Sequence, residues 1–134
     1  MKQKIEHRNS KGQLHCEDGP AFINYYENGS KKYEAYYLND KLHRTDGPAT
    51  IGYYENGSKN YEVYYSNGQI HRIDGPAYIH YFKNGNKKYE QYYLNDFKLE
   101  DWCEKYNILF KTKRQQKHVI DNLEKIYKTF SIFK

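Results

Sequence analysis

His43, Arg44 and Asp46 stand within four residues of one another, followed by Gly47 and Pro48. These are the residue types of proton transfer and anion binding. The glycine could bring a backbone close to a ligand. The segment therefore has the makings of an active-site fragment, and little else in the chain could be catalytic. The alternative is that His-Arg-Xaa-Asp-Gly-Pro only bends the chain.

Repetition favours the bend. Asp-Gly-Pro-Ala occurs at residues 18–21, 46–49 and 74–77, a period of 28 residues. Asn-Gly follows at 28–29, 56–57 and 84–85, and a second turn, Asn-Asp or Asn-Gly, at 39–40, 67–68 and 95–96. Three matching copies mark a repeat architecture. Tandem copies do not need one active site three times, but they do need one bend three times.

The turns set an expected register. Glu27-Asn28-Gly29 suits a three-residue hairpin with a left-handed glycine, closing on Tyr26 and Ser30. Carried along the strands, that closure places Ile23 opposite Tyr33 and Ala21 opposite Ala35. The face Ala21, Ile23, Tyr25 is the same in every repeat, so it is expected to be packed, continuing through Tyr33, Ala35 and Tyr37. The opposite face varies around aromatic residues. Phe22, Tyr26, Tyr36, Tyr54, Tyr64, Tyr78, Phe82 and Tyr92 are its candidate partner-binding residues. Asn67-Gly68 signals a two-residue type I′ turn pairing Tyr65 with Ile70, and by analogy Tyr37 with Leu42. Between Leu42 and Ala49 the packed positions change parity. Asp46-Gly47-Pro48 is where one extra residue fits, as a β-bulge with the Asp bonding local amides.

His15, His43 and His71 form a ladder, but equivalent residues two strands apart lie about 10 Å from each other. A shared zinc needs its nitrogens near 2 Å from one ion, so no metal site is expected. Arg44 and Arg72 are expected to stack on neighbouring tyrosines. Cys16 takes the Arg position in the first repeat, which argues against an essential charge there. Cys16 and Cys103 show no metal or disulfide spacing, consistent with reduced thiols in a cytoplasmic setting. Paired acids, phosphate loops and dinucleotide fingerprints are not found. The reading is non-enzymatic, without a cofactor.

The pattern resembles the MORN repeat family. Tyr36-Tyr37-Leu38-Asn39-Asp40-Lys41-Leu42-His43 is similar to the family's aromatic, Asn-Gly-Lys, His segment. Tyr54-Glu55-Asn56-Gly57-Ser58-Lys59-Asn60-Tyr61 is similar to its second turn. The period of 28 is longer than in MORN repeats, and His-Arg-Xaa-Asp-Gly-Pro-Ala replaces their Gly-rich strand. This variant resembles repeats of giant DNA viruses and some phages, a source that the richness in Lys, Asn, Tyr and Ile also fits. The resemblance covers about residues 13–96. It implies a protein-interaction or scaffolding role, sometimes with lipid contact, in a host cytoplasm.

Composition bounds the rest. The 134 residues include 17 Tyr but only 37% hydrophobic residues, so much of the apolar area comes from rings with polar tips. Residues 1–96 hold 13 Lys and Arg against 12 Asp and Glu, whereas residues 97–134 hold 9 against 5. The basic character belongs to the second part. The first ten residues lack the apolar core of a signal peptide, and no stretch is long and apolar enough to span a membrane.

A short helix is expected over 96–106, with Leu99, Trp102, Cys103 and Tyr106 at helical spacing, and a second over 113–130. The second carries an apolar stripe of Val119, Ile120, Leu123, Ile126, Tyr127 and Phe130. Lys113, Arg114, Lys117, Lys125 and Lys128 fill its other faces. They are the candidate contacts to nucleic acid or an anionic surface, a reading weakened by Asp121 and Glu124 beside them. The expected fold is mainly β: an antiparallel meander of three repeats over residues 1–96, capped by one or two helices within 97–134. The expected partner is a protein, with a homodimer as one form of it.

Overall fold

The computed structural model describes residues 3–99 together with Asp101, Lys117, Asp121, Asn122, Lys125 and Lys128. Among these, the architecture is one antiparallel sheet of seven strands. They are β1 (Lys4–Glu6), β2 (Phe22–Tyr25), β3 (Lys31–Ala35), β6 (Thr50–Tyr53), β7 (Lys59–Val63), β10 (Tyr78–Tyr81) and β11 (Lys87–Gln91), lying side by side in that order. Three small two-stranded hairpins are set off from it: β4 (Tyr37–Leu38) with β5 (Lys41–Leu42), β8 (Tyr65–Ser66) with β9 (Gln69–Ile70), and β12 (Tyr93–Leu94) with β13 (Phe97–Lys98). Each repeat thus supplies two long strands and one small hairpin. β1, which has no counterpart in the repeat motif, pairs with β2 at the open N-terminal side.

The turn chemistry acts as its residues dictate. Gly29, Gly57 and Gly85 take φ of 88°, 90° and 91°, the left-handed conformation that closes a three-residue hairpin. The Tyr26 amide donates to the Ser30 carbonyl at 2.8 Å, as the sequence predicts. In the small hairpins both turn residues are left-handed, Asn39 and Asp40 at 51° and 65°, Asn67 and Gly68 at 49° and 83°. These are type I′ turns, and Tyr37 faces Leu42 and Tyr65 faces Ile70 as expected.

The register within the long hairpins differs from the sequence expectation by one residue. Ile23 faces Glu34, not Tyr33, and Phe22 faces Ala35. The pairing slips between Asn24 and Tyr25, so Lys32 is an extra residue on β3, a bulge that recurs at Asn60 and Lys88. A one-residue slip moves a whole strand's side chains to the other face. The Ala-Ile-Tyr face of β2, β6 and β10 therefore stands as expected, but Glu34 joins it from β3, and Tyr33 and Ala35 lie on the opposite face. One face carries the transverse row Ile23, Glu34, Ile51, Glu62, Ile79 and Glu90. The other carries Phe22, Ala35, Thr50, Val63, Tyr78 and Gln91, and beside it Asn24, Tyr33, Gly52, Tyr61, His80 and Tyr89.

Among the described residues neither face is covered by a second layer of strands, since the strands with substantial contacts are hydrogen-bonded neighbours. The core lies along the sheet, with Leu94 and Leu99 buried at the last small hairpin. Ala21, Ala35, Ala49 and Ala77 are fully buried, and Ile51, Ile79, Val63 and Thr50 nearly so. Small side chains let long neighbours close over them. On the isoleucine face, Glu34 is buried and paired: Lys31 Nζ lies 3.0 Å from its carboxylate, and the Tyr53 hydroxyl donates to it at 2.9 Å. Lys59, Glu62 and Tyr81 repeat the arrangement. Burial of a carboxylate is tolerated here because both partners reach it.

The segment 43–49 is a loop between β5 and β6, not a bulge within a continuous strand. The third small hairpin ends at Lys98, so the repeat runs past Asp96, which sits in a type I′ turn with φ of 69° rather than at a helix start. The expected helices otherwise lie mostly outside the described residues. Among the described residues, Leu99 and Asp101 of the first and Lys117, Asp121, Lys125 and Lys128 of the second are in helical conformation, Lys117 paired with Asp121 at 3.2 Å. Lys113 and Arg114 fall outside. No helix among the described residues is long and apolar enough to cross a membrane.

Candidate functional site

The His-Arg-Xaa-Asp-Gly-Pro loops line a groove between each repeat and the next. One, of about 360 Å³, is lined by Cys16, Asp18, Tyr36, His43, Arg44 and Asp46; the next, of about 510 Å³, by the loops of Arg44 and Arg72. The His, Arg, Asp and Cys side chains in them have local tasks. The Arg44 guanidinium lies 4.0 Å above the Tyr36 ring, donates through Nε to Asp46 at 2.9 Å and through Nη1 to the Pro48 carbonyl at 3.1 Å. Arg72 does the same with Tyr64, Asp74 and Pro76. The stacking on tyrosine matches the sequence expectation. Arg44, through its hydrogen bond and charge, holds the Asp46 carboxyl below its ordinary pKa.

Gly47 is needed here for a different reason from the one expected. It is not left-handed; a Cβ there would sit 3.0 Å from the Arg44 guanidinium carbon. In the first repeat Cys16 keeps the contact to the aspartate, its thiol donating to Asp18 at 3.2 Å. Burial, then that hydrogen bond, pushes the thiol pKa up, away from the reactive thiolate.

The histidine ladder ties repeats together. Nδ1 of His15, His43 and His71 accepts the backbone N–H of Asn39, Asn67 and Asn95 at 3.0–3.1 Å. Each imidazole thereby carries its proton on Nε2 and secures the type I′ turn 24 residues further on. Asp40 and Asp96 complete the tie from the other side, accepting the amides of Leu14 and Ile70. Among the described residues, no group of three or more His, Cys, Asp or Glu converges as a metal site would require.

The expected ring set does not form one surface. Phe22 and Tyr78 lie on the Tyr33 face. Tyr36 and Tyr64 lie under the arginines, close enough to Tyr53 and Tyr81 of the glutamate face to act on their ionisation, and Tyr92 holds the equivalent place in the last repeat. Tyr26 and Tyr54 stand at the long-hairpin turns and donate to the carbonyls of Tyr53 and Tyr81, each at 2.7 Å, locking one repeat to the next. Phe82 holds their position in the last repeat and is 47% exposed.

The sequence reading missed Tyr33, Tyr61 and Tyr89. With Phe22 and Tyr78 these rings lie on one face between β2 and β11, with Gly52 of β6 between Tyr33 and Tyr61. Tyr61 stacks on Tyr78 at 6.4 Å and Tyr78 on Tyr89 at 5.8 Å, within 6° of parallel, and Phe22 meets Tyr33 edge-on at 5.9 Å. Burial raises the pKa of Tyr33 and Tyr61, and it pushes Tyr78 up to about 12 with help from its hydrogen bond to Tyr89. The missed signal was Lys31-Lys32 and Lys87-Lys88. Two adjacent exposed residues in a strand break its alternation, and they mark the bulge that turns Tyr33 and Tyr89 onto this face. In comparison with family models, curated proteins and solved structures, the chain finds no match in any of the three.

Proposed function

We propose that this chain is a non-enzymatic interaction module, a scaffold of repeats that binds a protein partner through the ring stripe of Phe22, Tyr33, Tyr61, Tyr78 and Tyr89. The observation that supports the reading is the stripe itself. It is one row of half-buried and exposed rings crossing every repeat of a sheet whose faces carry no second layer among the described residues. Contiguous aromatic surface on a rigid support is the usual character of a binding face, and Tyr is favoured at hot spots. The loops that resembled an active site support it from the other direction, because their His are engaged by the next repeat's turn and their Arg and Asp by each other. The resemblance to MORN-type arrays of viruses sets the module in a host cytoplasm, as part of the same proposal.

The test is the double substitution Tyr78→Ser with Tyr89→Ser. The expected outcome is a folded chain, by circular dichroism, that no longer retains the partner or self-association seen with the unchanged chain. Binding that survives both changes overturns the reading. Binding that weakens steeply between low and moderate salt points instead to phosphate contacts by Lys113, Arg114, Lys117, Lys125 and Lys128.

A further inference from the structure

β1 is built as half of a long hairpin. In the full repeats, Tyr36 and Tyr64 donate their amides to the carbonyls of Ala49 and Ala77, and His7 donates to Ala21 in the same way at 2.8 Å. β1 therefore holds the place of β3 and β7, the second strand of a hairpin. Among the described residues no first strand lies beside it, and it pairs only with β2. The register shows which backbone groups this leaves outward. Ile5 faces Ile23, and with the His7 bond this turns the amide and carbonyl of Ile5 towards β2 and those of Lys4 and Glu6 away from it. The equivalent residues of β3, Tyr33 and Ala35, face Asn24 and Phe22 of their own hairpin.

Strand polarity and charge limit what can fill this edge. The seven strands alternate in direction, so β1 and β11 run the same way, and copies joined in series would pair in parallel. Two β1 strands related by a two-fold axis pair antiparallel, as the rest of the sheet does. An edge made to repel its own kind carries like charges, lysine above all. Lys4-Ile5-Glu6 does the opposite. Read against itself in reverse, it sets Lys4 beside the second copy's Glu6 and Ile5 beside the second copy's Ile5. The parity of the backbone agrees. Lys4 and Glu6 carry the outward groups, so each Lys4–Glu6 pair across the axis exchanges two hydrogen bonds, and the two Ile5 residues form the close pair with Cα atoms about 4.5 Å apart. The side chains are available: Ile5 is 38% exposed, and the Lys4 side chain, 2.7 Å from Glu6 of its own strand, is 59% exposed. We infer that two copies of this chain join antiparallel through β1, centred on Ile5, into one continuous sheet. The axis is perpendicular to the sheet, so the ring faces of both copies lie on the same side. The inference rests on this edge and stands independently of what the rings bind.

Sedimentation equilibrium of the full chain, with Lys4→Glu and Glu6→Lys as separate variants, tests this. The contact is small, so the unchanged chain is expected to pass from monomer to dimer as its concentration rises to about 1 mM. Each variant sets like charges against each other across the axis. Each is expected to keep its sheet, by circular dichroism, and to stay monomeric. An equimolar mixture of the two variants restores both opposite-charge pairs and is expected to form a heterodimer. An unchanged chain that is still monomeric at about 1 mM overturns the inference. So do variants that dimerise as readily as the unchanged chain, or a mixture that stays monomeric. Repeating the Tyr78→Ser with Tyr89→Ser test in the Lys4→Glu chain keeps the two readings apart, because self-association there cannot use the β1 edge.

Discussion

Gly52 shows how much this sheet depends on single side chains. It lies between Tyr33 and Tyr61 on neighbouring strands, and a Cβ added to it would stand 2.2 Å from the Tyr61 ring. The glycine is thus the hollow in which that ring rests, at the position filled by Asn24 and His80 in the other repeats. Gly52→Ala is expected to cost about 1–3 kcal/mol by overpacking, read from a denaturant midpoint. Gly47→Ala should cost less, because the clash there is with the movable end of Arg44. Equal costs would mean that the ring has somewhere else to go. The hydroxyls that join repeats give a second comparison. Tyr54→Phe removes a 2.7 Å bond to a backbone carbonyl and should destabilise by about 0.5–1.5 kcal/mol. Phe82→Tyr adds the same hydroxyl at the last repeat, beyond which no further repeat lies among the described residues, and should leave stability unchanged. A gain from Phe82→Tyr would show that a receiving carbonyl exists beyond β11.

Small hairpins as short as β8–β9 have no core of their own and are marginal in water. What holds them is contact with the preceding repeat, and His43 Nδ1 on the Asn67 amide is the central tie. His43→Leu keeps bulk and removes the acceptor, so it is expected to speed hydrogen exchange at Asn67 and in the β8–β9 hairpin. Exchange in β6 and β7 should stay slow. Uniform acceleration across the molecule would instead mean that the histidines hold up the whole sheet. At this scale much was legible in the sequence. Asn-Gly and Asn-Asp pairs demand left-handed residues, so hairpin positions, turn types and the Tyr65 to Ile70 pairing follow from local chemistry alone. The long-hairpin register did not follow, because one extra residue at Lys32 reverses the faces of β3 and its only signature is a pair of adjacent exposed side chains. Asp46-Gly47-Pro48 was read as that irregularity because parity does change there, but the chain changes it by leaving the sheet. The expected faces of the second strands shifted for the same reason: a face is a property of register, and register is lost by one miscounted residue.

The molecule as a whole should respond to alkali more than a protein of its size ordinarily does. Tyr33, Tyr53, Tyr61, Tyr65, Tyr78, Tyr81 and Tyr92 all have pKa values raised above the usual 10.0, with burial the first cause in each. For Tyr53 and Tyr81 the second cause is a hydrogen bond given to a buried glutamate, which a phenolate cannot make. A phenol whose pKa is higher in the folded chain keeps its proton there after the unfolded chain has lost it. Stability is then unaffected below about pH 10 and falls as pH rises through the folded values, because unfolding releases protons. The residues concerned span all three repeats, and each repeat holds its neighbour through backbone pairing and side-chain ties, so losing one weakens the next. The expected outcome is a melting temperature that is level up to about pH 10 and then drops steeply towards pH 12, with the tyrosinate absorbance of these seven rings appearing together with loss of the sheet signal rather than ahead of it. Tyr53→Phe with Tyr81→Phe should make the alkaline fall shallower while lowering stability at neutral pH, since the hydrogen bonds to Glu34 and Glu62 go with the ionisable groups. Tyrosinate formed in full while the sheet stays intact would show that these rings reach solvent freely, and that burial of phenols is not what holds the array together.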